Sequence, residues 1–135
     1  MGQFLSESAL SEHVPKNWLT VRRARPIMSA MSLRGKKLGL LLSTSPGQPG
    51  FRHGLRLAET ALDEGVEVYL YCVDEAVRGV EEPRLLSLAA RGLKLYVCAY
   101  GAQRRGLKRS LCATYAGLAL LSDLISATDR FVSFN

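Results

Sequence analysis

Leu38-Gly39-Leu40-Leu41-Leu42-Ser43-Thr44-Ser45-Pro46-Gly47-Gln48-Pro49-Gly50 is the stretch whose reading decides the fold. Its first five residues are apolar without alternation, the pattern of a strand buried on both faces. Ser43 ends the run, and the Ser, Pro and Gly of residues 43–50 read as a loop. Leu55, Ala58, Ala61 and Leu62 then recur at helical spacing, and Gly65 is a fitting helix stop. A doubly buried strand followed by a loop and an amphipathic helix is the first half of a βαβ unit.

The same alternation continues to the end of the chain. Residues 66–73, Val-Glu-Val-Tyr-Leu-Tyr-Cys-Val, are rich in β-branched and aromatic residues and predict a second strand. Residues 74–79 read as a short helical turn. Pro83 opens a further helix, where its missing N–H does no harm. Leu85, Leu86, Leu88 and Ala89 give that helix its apolar side, and Gly92 ends it. Residues 93–98 predict a third strand, and residues 100–107 a short helix closed by Gly106. Thr114 is expected to cap a last helix carrying Leu118, Leu121, Leu124 and Ile125, and residues 130–134 form the final strand. Strands alternating with helices imply a mainly parallel sheet with right-handed crossovers. The expected fold is α/β, a three-layer flavodoxin-like domain over residues 37–135. Ligand chemistry in such folds sits outside the carboxyl ends of the strands.

Residues 1–36 lack a sustained period and are interrupted by Pro15 and Pro26. They read as a flexible N-terminal tail. An organelle-targeting segment, or translation that begins at Met28 or Met31, are the alternatives. The tail holds six basic and two acidic residues, whereas residues 37–135 hold twelve and ten. The net charge of +6 is therefore concentrated in the tail. The nearly balanced domain argues against a direct nucleic-acid surface. No apolar stretch is long enough for a membrane span. Three cysteines, Cys72, Cys98 and Cys112, form an odd and widely spaced set. That argues against a disulfide framework and for a reducing, cytoplasmic setting. No CxxC pair or Cys/His cluster points to zinc, and His13 and His53 lie far apart.

Cys98 carries the candidate chemistry. It closes an apolar strand just before a short helix, where partial positive charge and free N–H groups favour a thiolate. Arg104 and Arg105 follow about two turns later and would add positive potential, or would simply form a solvated helix face. A buried thiol is also common as an apolar filler. Cys72 ends a strand too, but Asp74 and Glu75 behind it would oppose a thiolate, so core packing is favoured there. Cys112 lies in a linker and is at most a resolving or accessory thiol. The loop of residues 43–50 could cradle an anion, but Phe51 stands where a Walker A lysine would follow, and GxGxxG is absent. His53, near that loop, could assist proton transfer, but the favoured reading is a helix-surface residue.

Cys98-Ala99-Tyr100-Gly101-Ala102-Gln103-Arg104-Arg105-Gly106-Leu107 resembles the active-cysteine segment of the DsrE family, closest to its TusD-type branch. The ending Ala127-Thr128-Asp129-Arg130-Phe131-Val132-Ser133-Phe134 is similar to that family's closing strand, and Ser45-Pro46-Gly47 with Ala58 is consistent with it. The resemblance implies a sulfur carrier that accepts sulfane sulfur as a persulfide on Cys98. It implies a persulfide relay, not a multi-turnover enzyme on a small substrate. Tyr100, Arg104 and Arg105 would be supporting residues. The implied partners are sulfur-donor and sulfur-acceptor proteins in a homo- or hetero-oligomer, serving tRNA thiolation or sulfur oxidation, with no metal or organic cofactor. The branch has a longer segment after the cysteine helix than residues 108–113 here. The competing readings are a non-catalytic scaffold subunit of a sulfur-relay complex, a small nucleotide- or anion-binding domain, and an RNA-binding module driven by the tail.

Overall fold

The structure is a computed structural model and describes residues 32–135. The tail reading of residues 1–36, with its targeting and internal-start alternatives and His13, lies mostly outside the described residues. Arg34–Asn135 form one compact unit. Its entry is fixed by backbone bonds: Gly35 N donates to Gly65 O at 3.0 Å, and Glu67 N donates to Lys36 O at 2.8 Å.

The elements run in the order β1 (Lys37–Leu42), α1 (Pro49–Asp63), β2 (Glu67–Cys72), a 3₁₀ turn (Asp74–Gly79), α2 (Pro83–Ala90), β3 (Lys94–Cys98), α3 (Ala99–Arg104), β4 (Thr114–Ala116), α4 (Leu118–Ala127) and β5 (Arg130–Phe134). Among the described residues the five strands form one sheet in the order β4-β3-β2-β1-β5. Every neighbouring pair is parallel. This is the expected α/β architecture. Its strand order differs from the 2-1-3-4-5 of flavodoxin itself, because the one reversal of direction falls between β1 and β5. Right-handed crossovers then put α1, α2 and α3 on one face and α4, which connects in the opposite direction, on the other.

The first face is the dry core. Leu40, Leu42, Val68, Leu70, Cys72, Leu95 and Val97 from β1 to β3 are buried against Phe51, Leu55 and Ala58 of α1 and Leu85 and Leu88 of α2. Each such Leu, Val or Phe side chain contributes about 1.5–3 kcal/mol by leaving water. Gly54 lets α1 approach that closely: a Cβ there would lie 2.3 Å from Leu42 Cδ2. Pro49 and Pro83 occupy the first turns of α1 and α2. Gly65, at φ 77°, takes the left-handed position that ends α1. On the second face α4 buries only Leu124 fully, and Leu118 and Ile125 remain exposed.

One expected element is corrected. Thr114 does not cap the last helix; it begins β4, and Gly117 is the N-cap of α4. Three residues with no apolar run carry no periodic signal. β4 exists because it pairs with β3, Tyr96 with Thr114, Val97 with Tyr115 and Cys98 with Ala116. Tertiary pairing, not local propensity, makes that strand.

Candidate functional site: the carboxyl end of β3

The site grows from a change of backbone direction at Cys98. β3 ends on this residue, and α3 begins at Ala99 with Cys98 as N-cap. The Gly101 N–H donates to Cys98 Sγ at 3.4 Å, so the sulfur takes the place of the oxygen that usually satisfies a helix N-terminus. A Cβ at Gly101 would lie 3.5 Å from both Cys98 Cβ and Val77 Cγ1, an ordinary van der Waals contact, so the turn packs against the 3₁₀ turn without requiring glycine there. Cys98 is 6% exposed, which places the sulfur just beneath the carboxyl rim of the sheet.

Strand alternation turns the Cys98 side chain to the face shared with Tyr96 and, across the β2–β3 register, with Tyr71. Tyr71 is fully buried, and its hydroxyl donates to Ala116 O on β4 at 3.0 Å. Its ring therefore crosses β3 to reach the Cys98–Ala116 pair. Burial above all, and next the charge of the neighbouring Cys98 side chain, push the Tyr71 phenol up from 10.0 to about 12.

The positive groups behave differently from one another. Arg105 turns inward and braces α3 to the 3₁₀ turn. Its Nε and Nη2 donate to Glu75 Oε1 at 2.9 and 2.8 Å, and its Nη1 to Gly101 O at 3.2 Å. Glu75 also receives Arg78 Nε at 2.6 Å. Hydrogen bonds from Arg105 and then Arg78 hold its carboxyl below the usual value of 4.5. Arg104 and Tyr100 lie on the exposed side of α3 and pair with each other, Arg104 Nη1 to Tyr100 Oη at 3.0 Å. Of the three supporting residues, only Arg105 is thus placed against the Cys98 turn.

Two open recesses adjoin the site. One, of about 310 Å³, is lined by Ala99, Ala102, Gln103, Leu107, Arg109 and Tyr115. The other, of about 380 Å³, shares Leu107, Arg109 and Tyr115 and continues to Val77, Arg78 and Lys108. The Arg109 guanidinium stacks over the Tyr115 ring at 5.0 Å. Cys98 lines neither recess, although its neighbour Ala99 lines the first.

The other candidates separate cleanly. Cys72 has no exposure, and burial pushes its thiol from 9.0 up to about 12. What opposes a thiolate there is burial and not Glu75, which is engaged with the two arginines. Cys112 is exposed in the loop between α3 and β4, and all three cysteines are free. His53 is exposed on α1. The loop of residues 43–50 leads into α1, whose N-cap Gln48 makes no side-chain cap. Among the described residues there is no group of three or more His, Cys, Asp or Glu side chains able to hold a metal. No described helix is long and apolar enough to cross a membrane. The sequence reading missed Tyr71 and the Glu75 brace. The signal for Tyr71 was its place one strand over and on the same face as Cys98, which needs the β2–β3 register to be read.

A parallel five-stranded sheet with a cysteine capping the helix at the end of its third strand defines a class of small α/β domains with a thiol at the strand rim. The sequence profile of the DsrE/DsrF-like family matches residues 36–134, and the chain belongs to that family. Among solved structures it is similar to the ychN protein of E. coli, with a TM-score of 0.63 and 16% identity over 74% of this chain and 99% of that one. At that identity the likeness concerns the fold. No curated protein sequence matches the chain.

Proposed function

We propose that this protein is a sulfur carrier that accepts sulfane sulfur as a persulfide on Cys98 and relays it to a partner protein in a reducing cytoplasm. The observation that carries the reading is Cys98 as N-cap of α3 at the carboxyl end of β3, with the Gly101 N–H on its sulfur, in a chain of the DsrE/DsrF-like family. In the loading step the Cys98 thiolate attacks the terminal sulfur of a donor persulfide. The Cys98–sulfur bond forms, the donor's sulfur–sulfur bond breaks, and the donor leaves as its thiolate. Transfer onward repeats the exchange with the acceptor's thiolate. No electrons enter or leave, so the relay needs no redox partner. Tyr69, Tyr96 and Leu41, half-buried on the second face, and the exposed Leu118 and Ile125 of α4 support association with another subunit there.

The burial of Cys98, at 6% exposure and outside both recesses, favours a second reading as a scaffold subunit. One experiment separates the two. Reduced protein is incubated with several sulfane-sulfur donors and its intact mass is measured beside Cys98→Ser. A gain of one sulfur atom in the wild type alone is the expected result. No gain with any donor sinks the carrier reading and leaves the scaffold.

A further inference from the structure

Tyr71 is the group at this site that neither composition nor family membership assigns. It is a tyrosine with no exposure, on a strand that does not carry Cys98, and its hydroxyl ends at Ala116, the register partner of Cys98. A packing role alone would be served by phenylalanine. The hydroxyl has one proton, donated to the Ala116 carbonyl at 3.0 Å. A phenol donates one hydrogen bond and accepts others, so its oxygen remains available to a thiol S–H. When the sulfur is anionic the same proton has a second acceptor beside it.

We infer that Tyr71 is a positioning residue for Cys98, whose hydroxyl proton swings from the Ala116 carbonyl to the sulfur when the sulfur is anionic. The inference rests on the carrier reading for its biological meaning and deepens it, because a carrier must hold a charged thiolate, and then a charged persulfide, under a nearly closed surface. Two donors from different elements then serve one sulfur, the Gly101 N–H of α3 and the Tyr71 hydroxyl of β2, which leaves the Ala116 carbonyl. The Ala116 carbonyl, released in the charged state, sits on β4 at the edge of the sheet, and as part of a half-buried residue it can be met by water. The phenol keeps its proton across the physiological range, since burial and the adjacent Cys98 side chain push it up to about 12. The proton thus changes acceptor without leaving the oxygen.

The other polar groups around the turn are already engaged. Arg105 and Arg78 hold Glu75 on the 3₁₀ turn, Arg104 holds the Tyr100 hydroxyl, and the Tyr115 hydroxyl of β4 accepts from Ser110 N. Asp74 is exposed at the start of the same turn, and Lys94, at the far end of β3, is paired with Tyr69 and Glu67. Cys72 faces the opposite side of the sheet.

The test measures the rate of alkylation of Cys98 by a small haloacetamide against pH, with the modified residue identified by peptide mass. In Tyr71→Phe the profile moves to higher pH and the rate at neutral pH falls about tenfold, the size of one lost hydrogen bond to a charged group. Site-specific replacement of Tyr71 by 3-fluorotyrosine, which keeps the ring and makes the hydroxyl a stronger donor, moves the profile to lower pH. This second variant serves if Tyr71→Phe fails to fold. An unchanged profile in the folded variants, whatever happens to their melting temperature, overturns the inference. Because alkylation needs no sulfur donor, the two proposals fail separately. A shifted profile in a protein that takes up no sulfur keeps Tyr71 and discards the carrier, and sulfur uptake with an unshifted profile does the reverse.

Discussion

The ends of β2 and β3 present the same residue in two environments. Cys72 and Cys98 each close a parallel strand on adjacent rungs, yet Cys72 is level with Val97, one residue short of Cys98. In a strand that single step reverses the face. Cys72 turns into the dry core among Leu42 and Val97, with no exposure and a thiol pushed up to about 12. Cys98 turns to the face of Tyr71 and meets a backbone N–H. The exits from the two strands complete the contrast. After β2 the chain passes through Asp74, at φ 51°, into a 3₁₀ turn; after β3 it enters α3 directly, with the sulfur as cap. A cysteine at a strand end is therefore turned into the core or toward the rim according to register and exit geometry.

The largest expected effect exploits that difference. Cys98→Ser should lose sulfur uptake altogether and melt near the wild-type temperature, because a serine oxygen is a good N-cap acceptor for Gly101. Cys72→Ser should keep uptake and lose about 1–3 kcal/mol of stability, because it strands a hydroxyl in an apolar core. Denaturant titration of both variants, paired with intact mass after donor treatment, checks this. If Cys72→Ser abolished uptake while remaining folded, the division of roles between the two strand ends would be wrong.

A smaller effect appears at alkaline pH. Cys72 and Tyr71 keep their protons in the folded state up to about 12, whereas the unfolded chain releases them near 9.0 and 10.0. Between those values the folded state binds more protons, so stability falls as pH rises. It is complete below pH 9.0 and declines toward about 12. Cys72→Ala should delay the onset of that decline, since the remaining group begins to titrate only near 10.0. Melting curves across this range measure the difference. An identical slope in wild type and variant would mean that the β2 end is less closed than its burial indicates.

Much of this contrast was legible before the structure. The continuous apolar run of β1, the proline starts of α1 and α2 and the glycine stops are local signals, and they locate β1, α1, β2, α2 and β3 closely. Cys98 with a helix directly after it was legible for the same reason. β4 was not, because Thr114-Tyr115-Ala116 is a strand only through its pairing with β3. Tyr71 was hidden for a related reason: its role depends on reaching across β3 to Ala116, a relation between three strands. Glu75 stands close behind Cys72 in sequence, but its partners are Arg78 and, 30 residues beyond Glu75 itself, Arg105.

That brace is the subtlest part of the comparison, since it ties the exit of β2 to the exit of β3. Arg105 holds Gly101 O and Glu75 together, so the turn that carries the Gly101 N–H leans on the 3₁₀ turn. The pairs are solvent-exposed on the Glu75 side, where screening leaves exposed ion pairs little net energy. Glu75→Gln should accordingly lower the melting temperature only slightly at neutral pH and low salt. Because Arg105 and then Arg78 hold the Glu75 carboxyl below 4.5, its contribution is present above that pH and is lost as pH falls beneath it. Wild type and Glu75→Gln should therefore converge in acid and in high salt. Cys98 should gain sulfur more slowly in the variant, because a looser α3 leaves the N–H donor less well aimed. A variant that melts slightly lower but loads sulfur at the wild-type rate would show that β3 and α3 hold the cap without help from the β2 exit.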